Sequence, residues 1–143
     1  MLLPPARKSV AGRKRRGRIV NRITPYKVCP SCKKSWDDPL DLVRDRSLRL
    51  NGYQAVAPDA TNGVVLLTHE AVGCHSTLAI FLRDFRFLYD GPEYELCLQG
   101  EPSCEEHCLR REDLSLCDAH CSMHWAREVL QCFLTHQIPA HVQ

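Results

Sequence analysis

The chain has 143 residues, 19 Lys+Arg against 17 Asp+Glu, and nine cysteines. That length suits one domain with a small appendage, and a compact chain of this size buries roughly two-thirds of its unfolded surface. No apolar run approaches the ~18–20 residues of a membrane-spanning helix, and the cysteine share falls below the ~8–10% of scaffolds held by disulfides alone.

The formal charge of +2 is unevenly spread. Arg7, Lys8, Arg13, Lys14, Arg15, Arg16, Arg18 and Arg22 give residues 1–22 a charge of +8 with no acidic residue, and the remainder carries −6. Like charges mixed with Gly and Pro repel and bury little, so residues 1–23 are expected to form a disordered basic arm. Arg13, Lys14, Arg15, Arg16 and Arg18 are its candidate nucleic-acid contacts, since each neutralised phosphate releases counterions. A transit peptide and a plain solvated tail stand beside that reading. The arm lacks the apolar stretch of ~7–15 residues that a secretory signal needs. A cytoplasmic, reducing location is therefore expected, where structural disulfides are uncommon.

From Thr24 the composition turns globular, and residues 24–143 read as one Cys-rich α+β domain. Residues 24–100 are expected to be its mixed β part and 101–138 its helical part. Asp37-Asp38-Pro39 reads as a turn that leaves no good helix N-terminus after the first cysteines, residues 40–50 alternate irregularly, and Asn51-Gly52 is a turn signal. The apolar runs 63–69 and 77–81 predict strands. Residues 84–89 suggest a helical turn, and 94–98 a third strand. Ser103-x-x-Glu106 and Ser115-x-x-Asp118 match the capping-box pattern, so a short helix is expected over 104–111 and a long amphipathic one over 116–136.

Cys29-Pro30-Ser31-Cys32 is a C-x-x-C knuckle, whose tight turn aims two sulfurs at one tetrahedral metal. With Trp36 and an acidic-Pro stretch behind it, the segment resembles the first knuckle of rubredoxins and zinc ribbons over about a dozen residues. No second C-x-x-C follows. The next cysteine lies in His69-x4-Cys74-His75, so a Cys3His site would combine Cys29, Cys32 and Cys74 with either His69 or His75. A reactive dithiol and unligated cysteines are the alternatives.

A second pattern repeats. Cys104-Glu105-Glu106-His107-Cys108 and Cys117-Asp118-Ala119-His120-Cys121 both read C-acid-x-His-C. On a helix, positions i, i+3 and i+4 share a face, so Cys104, Cys108, Cys117 and Cys121 could form a four-thiolate site, with His107, His120 or His124 as substitutes. Paired C-x3-C segments also resemble the disulfide-linked helical hairpins of mitochondrial intermembrane-space proteins. That resemblance implies cross-links in place of metal, and burial as small core residues is the third reading. Cys97 and Cys132 remain as spares expected in the core by position, Cys97 being also a further candidate for the first site.

No Gly-rich phosphate loop, H-E-x-x-H, G-x-S-x-G or H-x-E pattern is present, so the reading leans away from an enzyme. The chain reads as a small intracellular protein with structural Cys/His sites for zinc and a binding or regulatory role toward an unidentified protein partner. An iron–sulfur cluster is the alternative cofactor, because four thiolates suit either. Redox-responsive thiols and nucleic-acid association through residues 7–22 are the alternative functions.

Overall fold

The computed structural model describes residues 24–143, so the basic arm and its candidate nucleic-acid contacts lie outside the described residues. The first element is a short antiparallel hairpin, β1 Lys27–Val28 and β2 Ser35–Trp36, with Lys27 opposite Trp36. Helix α1, Pro39–Arg44, follows directly. The Asp38 carboxylate accepts the N–H groups of Leu40 and Asp41 at 2.8 and 3.3 Å, and Asp41 accepts the Asp38 N–H at 3.2 Å. Pro39 enters where its missing N–H costs nothing, and Leu42 and Val43 face the core.

Three strands make an antiparallel meander in the order β3 Leu48–Gln54, β4 Val64–His69, β5 Thr77–Phe81. Leu48, Leu50, Val65, Leu67, Leu78 and Ile80 alternate inward, as period-two strands with one covered face must. The cover comes from the 3-10 segment Leu82–Leu88, which buries Leu82, Phe85 and Leu88, and from helix α2, His124–Thr135, which buries Trp125, Ala126, Val129, Leu130 and Phe133. Phe85 and Phe133 meet edge to face with centroids 4.8 Å apart. Each such ring or branched side chain stabilises the fold by roughly 1.5–3 kcal/mol through burial. The architecture is α+β. Among the described residues no helix is long and apolar enough to cross a membrane.

The strands expected over 63–69 and 77–81 are β4 and β5, and the helical turn expected over 84–89 lies in Leu82–Leu88. Elsewhere the structure corrects the expectation. Asp38-Pro39 is a helix start rather than a bare turn, because Asp38 finds the orphan N–H groups of α1. Asn51-Gly52 does not reverse the chain. It lies within β3 at a bulge, where pairing with β4 shifts between Leu50 and Gly52. Gly52 is required there by close approach, since a Cβ would stand 3.0 Å from Arg111 Cγ and 3.2 Å from the Arg111 carbonyl. The adjacent Tyr53 N–H donates to that same carbonyl at 2.9 Å.

The C-terminal half departs further. Residues 94–98 form no strand; Leu96 accepts a single backbone bond from Ser122, and the Leu98 N–H donates to a sulfur, Cys121 Sγ, at 3.2 Å. The expected helix over 104–111 shrinks to the 3-10 turn His107–Leu109. Glu106 before it is left-handed (φ 65°) and makes no capping box with Ser103. The helix expected over 116–136 begins only at His124. The stretch ahead of it is claimed by side chains of that helix: Arg127 Nε donates to Ser115 O at 2.8 Å, Arg127 Nη2 to Asp113 O at 2.5 Å, and Gln131 Nε2 to Leu114 O at 3.1 Å. Those carbonyls are thus held outside any helical ladder. Asp113, not Asp118, accepts the Ser115 N–H. The repeated C-acid-x-His-C segments are therefore not helical faces, and the helical hairpin implied by the C-x3-C resemblance does not form.

Candidate metal centre

The knuckle is built by the β1–β2 hairpin. The Cys29 N–H bonds to Lys34 O at 2.8 Å and the Lys33 N–H to Cys29 O at 3.0 Å, with Lys33 left-handed at φ 70° to close the turn. This geometry points the N–H groups of Ser31 and Cys32 at Cys29 Sγ, and that of Lys34 at Cys32 Sγ. Backbone donors of this kind hold thiolates ready for a metal.

The other two donors come from the β4–β5 connection. His69 ends β4 on its buried side. Residues 71–74 then fold into a tight turn, with reciprocal Ala71–Cys74 backbone bonds at 3.1 and 2.8 Å and Gly73 at φ +77°. A hydrogen bond between the Ser31 and Ser76 hydroxyls joins the two loops. Four ligand atoms converge: Cys29 Sγ lies 3.5 Å from Cys74 Sγ, Cys32 Sγ lies 3.5 Å from His69 Nδ1, and all four fall within 4.8 Å of one another. A tetrahedral ion with Zn–S bonds of ~2.3 Å has S···S edges of ~3.8 Å, whereas a disulfide needs ~2.05 Å. The spacing therefore fits four donors around one ion. Cys29, Cys74 and His69 are 0, 2 and 1% exposed, while Cys32 sits at the surface.

The surroundings fix this donor set. Trp36 packs edge-on against the His69 ring at 5.3 Å, and its Nε1–H donates to Asp45 at 2.8 Å. Burial opposes ionisation of Cys29. The N–H groups of Cys32 and Ser31, with the His69 and Cys74 side chains, outweigh that penalty and bring the thiol down to about 6. At Cys32 the Lys34 N–H favours the thiolate, but burial and the neighbouring Cys29 and Cys74 sulfurs prevail and raise it. The chemistry on offer is closed four-ligand coordination, the arrangement of structural sites.

Of the histidine alternatives, the structure brings in His69. His75 is exposed, because neighbouring residues entering a strand face opposite ways. Cys97 is not in the group.

The second set behaves differently. Cys104, Cys108, Cys117 and Cys121 all line one small, largely enclosed cavity of about 20 Å³, yet among the described residues no second group of three ligand atoms lies within 4.8 Å. His107 is committed elsewhere: its Nδ1 bonds Asp113 at 2.9 Å and its Nε2 bonds Glu105 at 3.0 Å. The Asp113 bond raises the imidazole above its ordinary range against the cost of burial, and Asp113 is held well below the usual carboxylate range. His120 is exposed and stacks on Tyr94 at 4.6 Å, outside the cavity lining. All nine cysteines are free thiols. Cys132 and Cys97 are half-buried against the core.

In the sequence Trp36 is legible only as part of the knuckle's resemblance, while its partner Asp45 and the buried Arg127 are missed. The signal for Arg127 was a charged residue on the apolar face of α2, one residue after Ala126 and three before Leu130. No protein-family model, curated protein or solved structure matches this chain.

Proposed function

We propose that this is a zinc-binding protein in which Cys29, Cys32, His69 and Cys74 hold one structural ion, and that its role is binding or regulatory. The observation that carries this reading is the convergence of four soft donors from two distant loops within 4.8 Å of one another. A Cys3His set, largely buried and with one imidazole, suits zinc, whereas most iron–sulfur clusters take no imidazole. The ion would clamp the β1–β2 knuckle to the β4–β5 turn, and its binding energy would then be folding energy.

Metal analysis of protein purified without added metal tests this directly. Zinc is expected in the wild type, with one equivalent lost in Cys29→Ser/Cys32→Ser. A folded, colourless wild type without metal refutes the reading, and so does undiminished zinc in that variant.

The exposure of Cys32 within the donor set favours a second reading, in which oxidant reaches this thiol and its oxidation releases the ion. Zinc release by peroxide that is reversed by dithiothreitol supports it; retention of zinc under oxidant removes it.

A further inference from the structure

We infer that Cys104, Cys108, Cys117 and Cys121 form a second metal centre, a four-thiolate site for a single divalent zinc-like ion, counterbalanced by the buried guanidinium of Arg127. It does not depend on the knuckle centre. Three observations independent of the cysteine spacing lead to it.

The four cysteines come from separate turns of an irregular stretch, yet all border the same cavity. Its volume of about 20 Å³ holds one water-sized body, which is room for a single ion.

Sulfurs at this site also receive backbone N–H groups in the manner of the knuckle. Glu106 N–H donates to Cys104 Sγ at 3.3 Å and Met123 N–H to Cys121 Sγ at 3.4 Å, each from two residues onward. Ser31 and Lys34 stand in that same relation to Cys29 and Cys32. Cys121 Sγ accepts a second bond from Leu98 N–H at 3.2 Å. A neutral thiol buried as a small apolar group has no need of two donors; a metal-bound thiolate does.

The third observation is an unpartnered nitrogen on a buried guanidinium. Arg127 is 1% exposed and lines the cavity against Cys108. Its Nε and Nη2 are bonded to carbonyls, and Asp113 Oδ1 lies 3.6 Å from Nη2, but Nη1 has no partner. His124 also lines the cavity, and its buried Nδ1 is unpartnered as well. The unpartnered Arg127 Nη1 donor beside four thiols is what an anionic group in the cavity would satisfy. Four thiolates on a divalent ion carry a net charge of −2. Loading is written with its protons: four S–H bonds break, four S–metal bonds form, and four protons leave to solvent for each ion taken up. Because the sulfurs stand farther apart than at the knuckle, the ion would draw the loops inward as it binds.

The full chain, purified under reducing conditions without added metal, is measured for zinc and iron beside two paired variants. About two zinc ions per chain are expected, one per tetrahedral site. Cys117→Ser/Cys121→Ser and Cys29→Ser/Cys32→Ser should each retain one. Full zinc in the first variant overturns this centre; full zinc in the second overturns the knuckle centre instead. Because a serine variant can fail to fold, the unmodified chain is also pulse-alkylated and mapped by mass spectrometry. Cys104, Cys108, Cys117 and Cys121 should be protected together, at least tenfold, and exposed together by a zinc chelator. Alkylation unaffected by the chelator overturns the site. A disulfide among these four cysteines, or iron with acid-labile sulfide bound to them, also overturns it.

Discussion

Replacing Cys74 with alanine separates what the sulfur does as a core atom from what it does as a ligand. Cys74 is 2% exposed and 3.5 Å from Cys29 Sγ, yet its backbone is held independently by the two bonds to Ala71. The turn should therefore survive. Without metal, Cys74→Ala removes one buried atom and should cost about 1 kcal/mol, comparable to losing a methylene. With metal the cost is larger. Altering a group that only supports a ligand costs 10–100-fold in affinity, so losing a ligand itself should cost at least about 100-fold. At free zinc a thousandfold above the wild-type Kd, the wild type gains about 4.1 kcal/mol and the variant, then at about ten times its own Kd, only about 1.4. For a domain of this size 1 kcal/mol moves Tm by roughly 3–5 °C, so the zinc-induced rise should be about 10 °C smaller in the variant. Thermal unfolding in the presence of chelator and in zinc buffered at one free concentration gives both numbers. Zinc at any other centre raises both proteins alike, so the difference belongs to Cys74. Equal zinc-induced shifts in the two proteins refute the assignment of this sulfur as a ligand.

Asp45 accepts bonds from Trp36 Nε1, Ser47 N and Ser47 Oγ. Burial alone would raise its pKa, but the Ser47 and Trp36 bonds prevail and lower it. Its contribution is therefore complete above the ordinary carboxylate range and lost as pH falls through the folded value. Asp45→Asn should cost about 1–3 kcal/mol at pH 7, with the gap closing below about pH 4; denaturant melts at both pH values check it, and a gap independent of pH contradicts it. Phe133→Ala removes the ring against Phe85 and should cost about 3–5 kcal/mol in the same assay. Gly52→Val places carbon within 3.0–3.2 Å of Arg111 and should cost about 1–3 kcal/mol. Faster proteolysis near Arg111 should accompany it.

The sequence was most readable where local pattern and tertiary fold agree. The 63–69 and 77–81 runs are β-branched, apolar and bounded by turn residues, and the β4–β5 pairing lets each satisfy the other. Cys29 and Cys32 were legible because C-x-x-C spacing suffices to close a turn around one ion. The choice between His69 and His75 was not legible, because it depends on which face β4 turns inward, and that is set by pairing of Leu48 with His69 across the sheet. Helix α1 carried a readable start in Asp38-Pro39 and Asp41, but six residues show too little periodicity to announce a helix. The error at 116–136 has a sharper cause. A C-x3-C spacing looks helical whether its sulfurs share a helix face or meet from a loop. Only the partners of Arg127 and Gln131, which take the carbonyls of 113–115, distinguish the two.

Those same partners explain how the two halves of the described chain are held by different forces. Residues 27–88 contain all five strands and one of the two α-helices, and their alternating apolar residues supply most of the core. Between Tyr89 and Met123 the only regular element is the 3-10 turn His107–Leu109. Leu96, Leu109 and Leu116 in that stretch are exposed. Ordering a backbone costs about 1–2 kcal/mol per residue, and here little apolar burial is on hand to offset it. What holds the stretch is polar: Arg127 and Gln131 on the carbonyls of 113–115, Tyr53 on Arg111, Ser122 on Leu96, and N–H groups on the sulfurs of Cys104 and Cys121. A metal at the knuckle would fasten two turns of a sheet that its own core already defines. An ion among Cys104, Cys108, Cys117 and Cys121 would instead cross-link the part of the chain that lacks a core of its own. Three of these four cysteines, Cys104, Cys108 and Cys117, are only partly buried, and that placement is hard to explain if they were there only to be buried.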